Sequence, residues 1–196
     1  MGTLVATTLQ DRVSGDSSLI TDLQTGWTKI ATQTASASAS IDFTSTHITS
    51  TYTKYCFVLE DIRPATDASS LLIRVSQGAG FLSDGSYHYH THNSTSNATT
   101  YGGAADTTST AMFLATSVGN DASAHISGNV WLYAPANAAT LPSLNWAGNY
   151  YVSTNFSGGM VGNGFYAGGT GACDGVQFLT TSGNIADGSI TLYGIK

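Results

Sequence analysis

Tyr87-His88-Tyr89-His90-Thr91-His92 is the stretch whose residue types and spacing could do chemistry. On an extended strand, alternate side chains point to opposite faces. His88, His90 and His92 therefore share one face, about 6.8 Å apart. Imidazole is a common nitrogen ligand for Zn, Cu, Ni or Fe. Two His one residue apart can chelate a single ion, but three in a line cannot easily share it. Two other readings stay open: a polar strand face with Tyr87, Tyr89 and Tyr101 nearby, and a patch that contacts carbohydrate or a receptor. His47 and His125 stand alone and read as structural.

Other chemistry finds little support. The acidic residues are dispersed and most adjoin Gly, Ser or Thr, as turn residues do. A glycosidase needs two carboxylates facing each other across a cleft, and no local spacing points to such a pair. There is no nucleophile elbow and no HExxH motif. Cys56 and Cys173 lie far apart, each in or beside an apolar run, and read as buried free thiols rather than a zinc or redox motif. The expectation is a protein that is not an enzyme and carries no cofactor.

Aromatic residues crowd the second half: Trp131, Tyr133, Trp146, Tyr150, Tyr151, Phe165 and Tyr166. Core packing is the default for most. Tyr150-Tyr151 and Phe165-Tyr166 are adjacent pairs, so one ring of each should face outward on a strand. Outward aromatics are favoured at interfaces. The expected ligand or receptor contacts are Tyr87, Tyr89, Tyr101, Trp146, Tyr150, Tyr151, Phe165 and Tyr166.

The elements that must position these residues are strands. Candidates fall at 27–34, 36–44, 54–62, 70–77, 85–92, 110–118, 123–134, 143–154, 156–161, 173–180 and 188–195, separated by Gly, Pro, Asn and Asp. Many short strands predict an all-β sandwich or jelly roll. Residues 53–62 read as a central strand, with Tyr55, Phe57 and Leu59 on one face and Cys56 and Val58 on the other. Ala35, Ala37, Ala39 and Ile41 alternate with Ser36, Ser38 and Ser40, predicting a strand with a small-residue inner face. Residues 158–171 are glycine-rich and read as a loop; no helix start or Lys follows that would suit phosphate. Residues 173–196 read as a terminal β-hairpin turning at 182–188.

The chain divides at residue 26. Residues 1–16 look extended, with Leu4, Val5 and Leu9 as apolar positions. Asp16 or Ser17 caps one short helix over 17–24, with Leu19, Ile20 and Leu23 on one face. Residues 1–26 are thus an arm and helix, read either as an edge strand of the domain or as an anchor to a neighbour. Residues 27–196 form the sandwich.

Composition bounds the partners. Of 196 residues only 9% are charged, against about 25% in typical soluble domains, while 41% are hydrophobic. This suits a β protein that meets neighbours through uncharged polar surface, and it argues against disorder. Net charge is −6 and the six Lys and Arg are dispersed, so nucleic acid is not an expected partner. No apolar run approaches the roughly 20 residues of a membrane helix, and Met1–Gln10 has no signal-peptide pattern, which predicts synthesis in a cytosol without export by that route. Three Asn-x-Ser/Thr sequons, at Asn93, Asn97 and Asn155, are then chance matches.

Several stretches carry a resemblance. They are Trp27-Thr-Lys-Ile, Tyr55 to Pro64, Asp67, Leu71 to Val75, Gly128 to Pro135, and the ending Gly188-Ser-Ile-Thr-Leu-Tyr-Gly-Ile-Lys196. In this order they resemble bacteriophage virion proteins, tail-fibre-like or capsid-decorating, that end in a jelly-roll domain. Thr3 to Asp11 is similar to the start of small structural proteins of marine phages. The resemblance implies a virion component made in the bacterial cytoplasm, self-associating as a homotrimer and bound to tail or major capsid protein, with Leu4, Val5, Leu9, Leu19, Ile20 and Leu23 as its anchor to the virion or a neighbouring subunit. It implies host-glycan contact as a tail-fibre-like component. Capsid decoration is the alternative, and a polysaccharide-cleaving enzyme the third. Phage fibres of this kind sometimes hold a transition metal on the threefold axis through a His-x-His pair, which makes His88, His90 and His92 the metal candidates.

Overall fold

A computed structural model describes residues 26–78, 80–97 and 102–196. The chain folds into an all-β, jelly-roll-like antiparallel sandwich. Its strands are β1 (Thr28–Thr34), β2 (Ser40–Phe43), β3 (Lys54–Pro64), β4 (Ser69–Ser76), β5 (Tyr87–Thr95) and β6 (Gly102–Ser109). There follow β7 (Met112–Val118), β8 (Ile126–Tyr133), β9 (Ser143–Val152), β10 (Phe156–Tyr166), β11 (Gly175–Thr180) and β12 (Ile185–Ile195). The large layer runs β1-β12-β3-β8-β9-β10-β5-β6 and the small layer β7-β4-β11-β2. A pairing of Val118 with Val152 joins the two at one corner. No described residue is helical; the short helix expected at 17–24, with Leu19, Ile20 and Leu23, and the arm residues Leu4, Val5 and Leu9 lie outside the described residues.

The core lies between the layers. Phe57 of β3 meets Phe43 of β2 and Phe178 of β11 edge-on, at 5.2 and 5.4 Å between ring centroids. All three are fully buried. Each buried side chain of this size stabilises the fold by about 1.5–3 kcal/mol through apolar area removed from water. β3 is central, flanked by β12 and β8, as its two apolar faces predict. On its outer face Cys56 is buried in register with Trp131 and Tyr193, and Trp27 meets both rings edge-on.

Three sequence expectations are corrected. The terminal hairpin does not form: β11 pairs with β2 and β4, whereas β12 pairs with β1 and β3, in the other layer. Residues 181–184 cross between layers instead of reversing within one. Nor do residues 35–39 make a strand. Ala35 and Ile41 are buried but Ala37 and Ala39 are exposed, and Ala37 has φ 51°. This segment is the crossover from β1 to β2, tied to β12 by Ala37 N–H donating to Ala186 O.

The third correction bears on the site. The glycine-rich stretch is strand as far as Tyr166, and β6 begins at Gly102-Gly103, between the expected strands 85–92 and 110–118. Glycine in a strand often marks a close approach by another group. On the inner face of β10 that group is an aromatic ring. A Cβ at Gly158 would lie 2.7 Å from the Tyr150 ring, and one at Gly162 2.5 Å from the Trp146 ring. β10 is glycine-rich so that two rings of β9 can lie over its backbone.

Candidate functional site

The period-two alternation of β5 is realised, with the histidines outside. Tyr87, Tyr89, Thr91 and Asn93 are buried; His90 and His92 are exposed and His88 is half-buried. The antiparallel register then decides what stands beside each histidine, because residues opposite each other share a face. One row crosses the layer as Cys56, Trp131, Asn145, Asn163, His90 and Ala105. A second runs Tyr133, Ser143, Phe165 and His88, and a third Asn129, Ala147, Val161 and His92. With strands about 4.8 Å apart, Trp131 and His90 are about 14 Å apart across the layer.

Contacts within these rows order the side chains. Asn145 Nδ2 donates to the Tyr133 hydroxyl at 3.1 Å, and Trp131 and Tyr133 lie side by side with a 22° interplanar angle. Asn163 Nδ2 lies 3.4 Å from His90 Nε2. His88 tilts against Phe165 at 5.1 Å. Val161 and Phe165 keep 58% and 37% of their surface exposed, whereas Met160 and Tyr166 of the same strand are buried.

The most informative feature is a charge pattern. β8, β9, β10 and β5 are consecutive in the layer, and not one Asp, Glu, Lys or Arg occurs in them. An outer sheet face normally alternates charged or strongly polar residues with the buried set. Here it presents amides, imidazoles, small residues and aromatic rings.

The sequence-predicted contacts separate sharply on this frame. Phe165 is exposed on the outer face and Tyr151 is half-buried, its hydroxyl 3.1 Å from Asn155 Oδ1. Tyr87, Tyr89, Trp146, Tyr150 and Tyr166 are corrected: each is buried in the core, so none offers its ring to a ligand from outside. Tyr101 lies outside the described residues. The buried rings satisfy their polar atoms internally. Tyr87 accepts from Val75 N–H and donates to Leu82 O, and burial raises its pKa. Tyr166 donates to Asp84 at 2.6 Å, which lifts its own pKa to about 12 and lowers that of Asp84. Trp146 Nε1 donates to Thr91 Oγ1, and Asn93 Nδ2 to Thr116 Oγ1.

His88, His90 and His92 do share one face, but they do not converge. His90 and His92 meet edge-on at 5.5 Å while His88 is turned to Phe165. Among the described residues no group of three or more His, Cys, Asp or Glu side chains is placed to hold a metal ion. Both thiols are free and buried, which pushes Cys56 up to about 11 and Cys173 to about 12.

Sequence reasoning missed Asn129, Asn145 and Asn163. Their signal was an Asn at outward positions of strands that otherwise read as apolar, but only the register joins them to the histidines. No known protein family matches this chain, and no curated protein sequence is similar enough to count as a relative.

Proposed function

We propose that this chain is a phage virion protein, non-enzymatic and exposed on the particle, whose uncharged outer face contacts a host surface glycan as a tail-fibre-like component. The observation that carries the reading is the row Trp131, Asn145, Asn163 and His90 on four strands without a formal charge. A pyranose ring offers an apolar C–H face and a rim of hydroxyls. Aromatic rings suit the first, and amides, which both donate and accept, suit the second. A face free of cations selects neutral sugars over acidic ones. The resemblance of the strand motifs to virion jelly-roll proteins supplies the setting.

A second reading, capsid decoration, draws on Val161 and its register partner Ala147. Both are exposed and together make a flat neutral apolar patch suited to another virion protein. Side-chain amide NMR with neutral oligosaccharides separates the two. Glycan contact shifts Asn145 and Asn163 signals and the Trp131 indole, and Asn163→Ala lowers affinity at least tenfold. No shift with any neutral oligosaccharide or host-cell polysaccharide refutes glycan contact. Binding to purified capsids that Val161→Glu abolishes establishes decoration.

A further inference from the structure

The charges missing from the middle of the large layer are gathered at opposite ends of its β1-β12-β3 ribbon. Lys29 lies at the start of β1, Lys54 opens β3, and Lys196 follows β12. Register places Lys29 opposite Tyr193 and Lys54 opposite Ile195, so the three lysines crowd one end of three adjacent strands. All three are exposed, and none is ion-paired among the described residues, where Arg63–Asp187 is the one salt bridge. At the same end of the sandwich, off the ribbon, Asp84 is exposed with its carboxylate accepting from Tyr166, and the half-buried Asp174 accepts from Ser76 and Gly78 N–H.

The other end of the ribbon is acidic. Glu60, Asp61 and Asp187 line a recess of about 490 Å³ beside Ser127 and Ser189. Asp67 and Asp121 are exposed in the adjoining loops. Among the described residues Arg63 is the one cation there, and it is spent on Asp187 and the Asn120 carbonyl. Scattered charge in the sequence thus becomes, in the fold, a ribbon positive at one end and negative at the other.

We propose that copies of this chain associate head to tail, the lysine end of one seated on the carboxylate end of the next. The occupant is a second copy because the two ends complement each other and lie on the same strands. Like ends repel, so an isologous pairing through either end is disfavoured. A head-to-tail contact is heterologous, and with both surfaces at opposite ends of one ribbon it extends as an open row. It is independent of the glycan reading, which uses the neutral strands β8, β9, β10 and β5 beside the ribbon.

Sedimentation velocity of the full chain tests it at about 0.01 M and about 1 M salt, where charges are screened beyond about 30 and about 3 Å. Wild type should form a concentration-dependent series of oligomers at low salt and revert to monomer at high salt. Lys29→Glu/Lys54→Glu/Lys196→Glu makes both ends acidic, and Glu60→Lys/Asp67→Lys/Asp121→Lys makes both basic. Each alone should weaken association at least tenfold at low salt, and an equal mixture should restore it. The substituted side chains are exposed, and unchanged thermal unfolding confirms that each variant folds. Wild type that stays monomeric at low salt overturns the proposal. So does association that survives high salt, or a mixture that fails to associate. The wild-type salt comparison stands whether or not the variants fold.

Discussion

Gly162→Ala puts the reading of β10 to a quantitative test. Gly162 lies on the inner face of an extended strand, opposite Trp146 in register. A Cβ there would sit 2.5 Å from Trp146 Cζ2 and 2.5 Å from the His90 carbonyl oxygen. Real Cβ atoms do not approach so closely, so either the indole leaves its site or β10 moves off β5. Overpacking of this kind costs about 1–3 kcal/mol. Displacing the indole also strands its N–H, now bonded to Thr91, for about 1 kcal/mol more. The expected loss is about 2–4 kcal/mol, which for a domain of this size lowers Tm by about 5–12 °C. Gly169→Ala is the control, since nothing lies within 4 Å of its Cβ position, and it should change stability by less than about 0.5 kcal/mol. Combining Gly162→Ala with Trp146→Leu should recover part of the loss, because the smaller side chain vacates the site; coupling of about 0.5–3 kcal/mol is expected for such neighbours. Thermal unfolding followed by near-ultraviolet circular dichroism reads these variants beside Trp146→Leu alone and wild type. Equal Tm values for Gly162→Ala and Gly169→Ala would refute the reasoning and return this stretch to an ordinary loop.

Two further outcomes follow from the buried groups. Thr91→Val, nearly isosteric, removes the hydroxyl that accepts from Trp146 and donates to Asn93, and should cost about 1–3 kcal/mol, whereas Thr34→Val at an exposed position of the edge strand should be near neutral; urea unfolding of both compares them. Stability should also fall in alkali. Cys56, Cys173 and Tyr166 hold their protons more tightly in the folded chain, with folded pKa values of about 11, 12 and 12. Their unfolded values of 9.0, 9.0 and 10.0 mean that this stabilisation is complete below about pH 9 and lost as pH rises from there to about 12. Tm measured with reductant across this range should be level to pH 9 and then decline; a level profile to pH 11 contradicts the burial of the thiols.

Much of the local structure was legible in the residues. Period-two alternation located most strands, singled out β3 as central and put His88, His90 and His92 on one face. Those are properties of neighbours along the chain, set by a backbone that turns side chains over at every step. Alternation separates two faces without saying which is inside. Tyr87 and Tyr89 alternate with histidines, and only packing against the small layer decided that the tyrosines go in. The same limit cut β10 short at residue 161, since glycine reads as loop until the ring of Trp146 is known to lie on Gly162.

Pairing is where tertiary structure decided alone. Val176 to Thr180 and Ile190 to Ile195 are strands that the sequence by itself determined, but their apparent hairpin is a crossing between layers. Hydrogen-bond partners are chosen by burial of whole faces rather than by proximity in the chain. Low charge was plain in the composition. Its arrangement was not: β5 stands beside β10, β9 and β8 only after folding, and that order makes the neutral face. Lys29, Lys54 and Lys196 are far apart in sequence and come to one end because β12 inserts between β1 and β3. The sequence determined which residues alternate and how few carry charge. The fold decided which of them meet, because register across antiparallel strands is a long-range choice that no local pattern encodes.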